Sequence, residues 1–134
     1  MIIRRGVERV SGIEEIDVLQ SELLDRAARL VAAARAEQAP EARAHVERMR
    51  EVAAALFASE ERHLRQAGSL SAERHAHEHR RFLQDLSVVG AELGRLGGKA
   101  LTDLQVARWV TEWLEAHVGR TDEELARLGP AVRA

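Results

Sequence analysis

The sequence contains no cysteine, so neither disulfide bonds nor thiolate metal ligands are available to it. No apolar run approaches the roughly 18 residues that cross a bilayer, and residues 1–5 lack the apolar stretch of a secretory leader. With 20 basic and 22 acidic residues, the chain also lacks the basic surplus that a nucleic-acid binder needs. We therefore expect a cytoplasmic protein that binds neither membranes nor nucleic acid.

Residues with high helix propensity dominate the composition. Ala, Leu, Glu and Arg are frequent, β-branched residues are sparse, and there are two prolines. A length of 134 residues is enough for one sizeable core but not for two. We expect a single all-α domain over residues 1–134 with no internal repeat.

Amphipathic helices are predicted where apolar residues recur three and four positions apart. An irregular N-terminal arm is expected over residues 1–16, with Asp17 as the N-cap of the first helix. The four expected helices run from Asp17 to about Glu37, from Pro40 to about Gln66, from Ser69 or Ser71 to about Leu96 and from Thr102 to about His117. Thr121 and Glu124 are expected to form a capping box at the start of a short last helix. Because short connections favour antiparallel neighbours, we predict an up-down four-helix bundle.

Two of the six histidines share one face of the third predicted helix. His75 and His79 lie four residues apart, so their Cβ atoms are expected about 5–6 Å from each other. Both continue the apolar stripe that contains Phe82 and Leu86, which predicts that they face the core. His77 lies on the opposite side of the helix and is expected to face solvent. Buried imidazoles need partners, since an unpaired polar group costs on the order of 1–3 kcal/mol.

Inward-facing stripes on two other helices carry further potential ligands. Trp109, Trp113 and His117 recur every four residues, so His117 is expected on the same face as the two tryptophans. Asp122 follows on the next turn. Glu60 falls within the apolar stripe of the second helix, which places it toward the interior.

Three imidazoles and two carboxylates are thus predicted to meet in the core, namely His75, His79, His117, Glu60 and Asp122. Neutral imidazole nitrogen combined with carboxylate oxygen suits iron, zinc or manganese. A histidine pair at this spacing in a charged stretch is, taken alone, more often a solvated surface feature. The prediction of a metal site depends on the alignment of all five residues with apolar stripes.

Four stretches, spread over nearly the whole chain, resemble hemerythrin and the bacteriohemerythrins. Residues 56–61 resemble the family's His-Phe-x-x-Glu-Glu stretch, and residues 75–83 match its His-x-x-x-His-x-x-Phe-Leu. Residues 113–122 match the stretch that begins Trp-Leu-x-x-His and ends in Asp, and residues 16–20 resemble Ile-Asp-x-x-His. This resemblance implies an oxygen-binding four-helix bundle with a di-iron centre. One iron would be held by the three inward histidines, and the carboxylates matching Glu60 and Asp122 would bridge the two irons.

The resemblance also exposes a departure from the family pattern. The second iron, at which the family binds dioxygen, takes histidines from positions that are occupied here by Gln20 and Leu56. We therefore expect impaired oxygen carriage and a mononuclear site, because one divalent ion, two carboxylates and neutral imidazoles sum to zero charge. His63, three residues after Glu60, could approach the vacated side, with Glu22 or Glu61 supplying oxygen, although a surface position is the more common one for such a histidine.

Three classes of function follow from these observations. The leading hypothesis is a non-haem iron protein that acts as a sensor, as a binder of dioxygen or another diatomic ligand, or in iron handling. A mononuclear metal enzyme is a second hypothesis, which we favour less because the sequence offers no separate general acid or base. A third is a metal-free, degenerate bundle that serves as an interaction or structural module.

Overall fold

The computed structural model describes residues 13–36, 38–96, 109, 111–117, 120 and 124–125. It contains the helices α1 (Glu14–Arg35), α2 (Ala39–Gln66) and α3 (Ala72–Leu96). The described residues from 109 to 120 are helical as well, and we refer to them as α4; Glu124 and Leu125 are also helical. The described chain is thus all-helical, as predicted, and is compatible with a helical bundle. None of its described helices is both long and apolar enough to span a membrane.

The start of α1 differs from the prediction. The helix begins at Glu14, with Ile13 as the N-cap, and the Ile13 carbonyl accepts a hydrogen bond from the Asp17 amide at 2.9 Å. The predicted N-cap at Asp17, and with it an arm that extends to residue 16, is therefore wrong. Glu14, Glu15 and Asp17 place negative charge in the first turn, where the helix dipole favours it. Ile16 is fully buried, so the core begins inside the segment that was expected to be irregular.

The end of α2 is fixed by backbone geometry. Gly68 has a φ of 71°, which residues with a side chain rarely adopt. Its amide donates to the Arg65 carbonyl at 3.0 Å, and the Ser69 amide donates to the Leu64 carbonyl at 2.9 Å. These two bonds form a Schellman motif and end the helix at Gln66, which is the predicted position. At the other end, Pro40 lies in the first turn of α2 as predicted, where a missing amide costs nothing.

One hydrophobic core joins all four helical segments. The predicted apolar faces are the faces that are buried, and each fully buried large side chain contributes about 1.5–3 kcal/mol relative to exposure. The largest fully buried side chains include Ile16, Leu23, Leu30, Met49, Leu56, Phe57, Leu64, Phe82, Leu86, Leu114 and Leu125. Because these residues come from every described segment, the core also fixes the positions of the polar groups set among them.

Ion pairs lie along the contact between α1 and α2. Glu15 accepts from Arg62 at 3.0 Å, and Glu22 accepts from Arg48 at 2.6 Å. Exposed pairs of this kind are worth less than about 1 kcal/mol each. The register of the two helices is therefore determined mainly by their buried side chains.

Several predicted features lie outside the described residues. These are residues 1–12 of the N-terminal arm, the start of the fourth helix at Thr102, Thr121 of the capping box and the proposed ligand Asp122. Glu124, the other half of that capping box, is helical.

Candidate metal centre

Three histidines that are far apart in sequence meet in the interior of the protein. His75 and His79 come from α3 and His117 from α4, and their exposed fractions are 3%, 1% and 1%. Each offers one ring nitrogen, and these nitrogens all lie within 4.8 Å of one another, so the cluster could hold a metal ion. His77, on the other side of α3, is exposed as predicted.

The closest approach within the site is a triangle of three potential ligand atoms. Nε2 of His79 and Nε2 of His117 are 3.0 Å apart, and Oε1 of Glu60 lies 3.2 Å and 3.3 Å from them, respectively. Metal bonds of about 2.1 Å allow two ligands on one ion to be up to about 4.2 Å apart. All three atoms satisfy this limit. The nitrogen of His75 lies within 4.8 Å of the other two nitrogens, at most about 0.6 Å beyond that limit, so a small movement of its ring would bring it within reach.

Glu60 places a negative charge in the core. Its side chain is 0% exposed, and burial alone would raise its pKa. Hydrogen bonds with His117 and His79, together with the charge of those rings, outweigh burial and lower the pKa of Glu60 to about 2. The carboxylate is therefore ionised at neutral pH, and a cation bound among these groups would compensate its charge.

The surroundings of His75 favour the neutral form of its ring. Burial, together with the nearby His117 and His79, lowers the pKa of His75. Neutral imidazole, the form that binds metals, is thereby favoured at pH 7. Its Nδ1 is buried and has no hydrogen-bond partner among the described residues. An unmade bond at such an atom costs on the order of 1–3 kcal/mol, which a ligated ion or another donor would relieve.

Aromatic rings enclose the two innermost imidazoles. Phe57 stacks on His79 with ring centroids 4.0 Å apart and planes inclined by 2°, and Trp113 stacks on His117 at 4.6 Å and 14°. Phe82 in turn stacks on Trp113 at 4.2 Å. Phe57 and Trp113 thus line the site, and apolar walls of this kind exclude water and strengthen electrostatic interactions.

Both residues that depart from the hemerythrin pattern, Gln20 and Leu56, are buried. The Gln20 amide donates to Oε2 of Glu60 at 3.3 Å, whereas the other oxygen, Oε1, is the one that lies near His79 and His117. Leu56 is fully buried in the apolar core. His63 donates from Nδ1 to the Ser59 carbonyl at 2.8 Å and is not one of the three clustered histidines.

The sequence did not predict that two carboxylates approach the outer ring nitrogens of the histidines. Oε2 of Glu61 lies 2.7 Å from Nδ1 of His79, and Oε2 of Glu78 lies 3.8 Å from Nδ1 of His117. Both glutamates are direct sequence neighbours of predicted ligands, which is the only signal that the sequence carries. Their pairing across helices depends on the tertiary structure.

Comparison of the sequence with protein-family models finds no match, and a search of curated proteins finds no relative. The described residues define a class of protein in physical terms. It is an all-helical protein whose buried histidine cluster could hold a metal ion.

Proposed function

We propose that this chain is a hemerythrin-like metal protein, an antiparallel up-down bundle that binds one iron ion. Its ligands would be His75, His79, His117 and Glu60, with Asp122 included on the strength of the resemblance alone. The supporting observation is the triangle of two imidazole nitrogens and one carboxylate oxygen, 3.0 to 3.3 Å apart in the core. Such a donor set accommodates iron and also suits zinc or manganese.

A single ion is favoured by what surrounds Glu60. The Gln20 amide donates to Oε2 of Glu60, so this oxygen is engaged and does not face a second ion. Leu56, which stands where the hemerythrin pattern has a second histidine, offers no ligand atom. A second divalent cation would add two positive charges with few groups left to hold it.

The apolar surroundings favour small, uncharged ligands at the ion. Phe57 and Trp113 stack directly on the imidazoles, so a diatomic molecule such as dioxygen suits the site better than a polar organic substrate. We infer a role in sensing, small-ligand binding or iron handling, with classical reversible oxygen carriage impaired and no catalytic activity assigned.

Substitution of two histidines on α3 tests the proposal. His79→Ala removes a ligand from the triangle, whereas His77→Ala changes the same residue type at an exposed position two residues away. After expression in iron-rich medium and purification without chelator, the wild type and H77A are expected to carry metal and H79A to lose most of it. Equal metal content in H79A and H77A would contradict the proposed ligand set.

A metal-free bundle is the second candidate, and one observation favours it. Both ring nitrogens of His79 have protein partners, Glu61 on one side and His117 with Glu60 on the other. A proton shared between the two Nε2 atoms could therefore replace an ion. This candidate wins if the protein contains no metal after growth in iron-rich medium and unfolds identically with chelator and with added iron.

A further inference from the structure

Glu61 contacts the outer edge of a proposed metal ligand. Its Oε2 lies 2.7 Å from Nδ1 of His79, a distance typical of a strong hydrogen bond with a charged partner. Because an ionised carboxylate only accepts hydrogen bonds, Nδ1 of His79 carries the proton and donates it. The opposite nitrogen, Nε2, faces His117 and Glu60 inside the triangle.

We propose that Glu61 is a positioning residue that turns Nε2 of His79 toward the ion and increases the basicity of this nitrogen. The proposal rests on the proposed metal function and names one further residue on which that function depends. Carboxylates that accept from the outer nitrogen of a ligating histidine fix both the tautomer and the orientation of its ring.

The stacking of His79 on Phe57 shows why such a residue is needed. The two ring planes are inclined by only 2°, so stacking fixes the plane of the imidazole. A rotation of 180° about the Cβ–Cγ bond leaves the ring in the same plane but exchanges Nδ1 with Cδ2 and Nε2 with Cε1. Stacking cannot distinguish these two orientations, whereas the hydrogen bond to Glu61 can.

Glu61 is itself held in place. Its Oε1 lies 3.5 Å from Arg65, one turn further along α2, while Oε2 accepts from His79. The Glu61 side chain is 20% exposed, so its hydrogen bond to His79 is only partly screened by water. Each oxygen of this carboxylate therefore has a separate partner.

His117 provides a natural comparison within the same site. Oε2 of Glu78 lies 3.8 Å from Nδ1 of His117, which is too long for a hydrogen bond. Glu78 instead accepts from Arg120 at 3.4 Å. Loss of the Glu61 carboxylate should therefore weaken metal binding more than loss of the Glu78 carboxylate.

Calorimetric titration of the metal-free protein with Zn²⁺ alone measures the effect. Glu61→Ala is expected to weaken Zn²⁺ binding about 10–100-fold. E61Q should lose less Zn²⁺ affinity, because its side-chain carbonyl still accepts a hydrogen bond from Nδ1 of His79. Glu73→Gln is the matched control, since Glu73 binds the same Arg65 at 3.2 Å from a position that is 83% exposed. E73Q should bind Zn²⁺ as tightly as the wild type does. The Zn²⁺ affinity of E78Q should lie between those of E73Q and E61A.

Nitrogen-15 NMR of His79 in the metal-free protein separates positioning from folding and from metal binding. The wild type should show a protonated Nδ1, and E61A should show a shift toward the form protonated at Nε2. In a separate urea titration, the unfolding midpoint of E61A should lie close to that of E61Q. Wild-type Zn²⁺ affinity in E61A would overturn the proposal while leaving the metal function intact. If the wild type binds neither Zn²⁺ nor Fe²⁺, the proposed metal function is wrong. If the His79 spectrum of E61A is the same as that of the wild type, the proposed role of Glu61 is wrong as well.

Discussion

Glu60 is completely buried and negatively charged, and its contribution to the stability of the fold depends on pH. Its pKa is lowered from 4.5 to about 2, so the folded protein binds this proton less readily than the unfolded chain does. The ionised carboxylate therefore stabilises the fold above about pH 4.5, and this contribution, on the order of 3 kcal/mol, is lost as the pH falls toward 2.

We expect the free energy of unfolding of the metal-free wild type, measured with urea in the presence of chelator, to decrease between pH 4.5 and the lowest accessible pH. In Glu60→Gln the carboxyl group is absent, so this part of the slope should disappear. Parallel pH profiles of the two proteins would show that Glu60 is not the stabilising anion described here.

The hydrogen bond from Gln20 to Glu60 supports a second prediction at this scale. Gln20→Ala removes a buried amide that donates to a charged oxygen, so the metal-free protein should lose about 1.5–3 kcal/mol of stability at pH 7. Val18→Ala, on the same helix but 59% exposed, is the control and should change stability by less than about 0.5 kcal/mol. Equal effects of Q20A and V18A on the urea midpoint would contradict the role given to Gln20.

The inward direction of most of the site could be predicted from single residues and their spacing. His75, His79, His117 and Glu60 lie on the apolar stripes of their helices, and the periodicity that buries the stripe also buries the ligand. The partner of Glu61 could not be found this way. Its contact with His79 joins two helices, and helix periodicity carries no information on which residues face each other across a helix contact.

At the scale of the helices, Gly90 offers a test of the packing between α2 and α3. A Cβ atom added there would lie 3.4 Å from Cγ1 of Val46 and 4.0 Å from Oε1 of Glu47, which is van der Waals contact. Alanine is favoured over glycine in a helix by about 0.8–1.0 kcal/mol. Gly90→Ala is therefore expected to raise the free energy of unfolding by up to about 1 kcal/mol with unchanged metal content. A lower urea midpoint would mean that Val46 cannot accommodate the added methyl group.

Helix ends were predictable where a residue has a specific backbone role, and not elsewhere. Pro40 and Gly68 mark the ends of α2 because each has restricted or unusual backbone geometry. The start of α1 carries no comparable signal, since its N-cap Ile13 makes no side-chain capping hydrogen bond. Asp17, a favourable N-cap residue type, lies inside the first turns instead, where its charge suits the helix dipole.

At the scale of the whole molecule, an ion held by three helices should stabilise the fold. His79, His117 and Glu60 come from α3, α4 and α2, so unfolding would separate the ligands and release the metal. An ion present at 100 times its dissociation constant contributes about 2.7 kcal/mol. We expect anaerobic addition of Fe²⁺ to raise the melting temperature of the wild type and of H77A, and to leave that of H79A unchanged. Equal shifts in all three proteins would indicate binding elsewhere.

The proposed function requires one ion bound where the imidazoles of His79 and His117 meet the carboxylate of Glu60. Elemental analysis of the wild-type protein, expressed in iron-rich medium and purified without chelator, measures this directly. We predict one iron per chain. The absence of bound metal would contradict the proposed function, and two irons per chain would contradict the single-ion site that Gln20 and Leu56 are proposed to enforce.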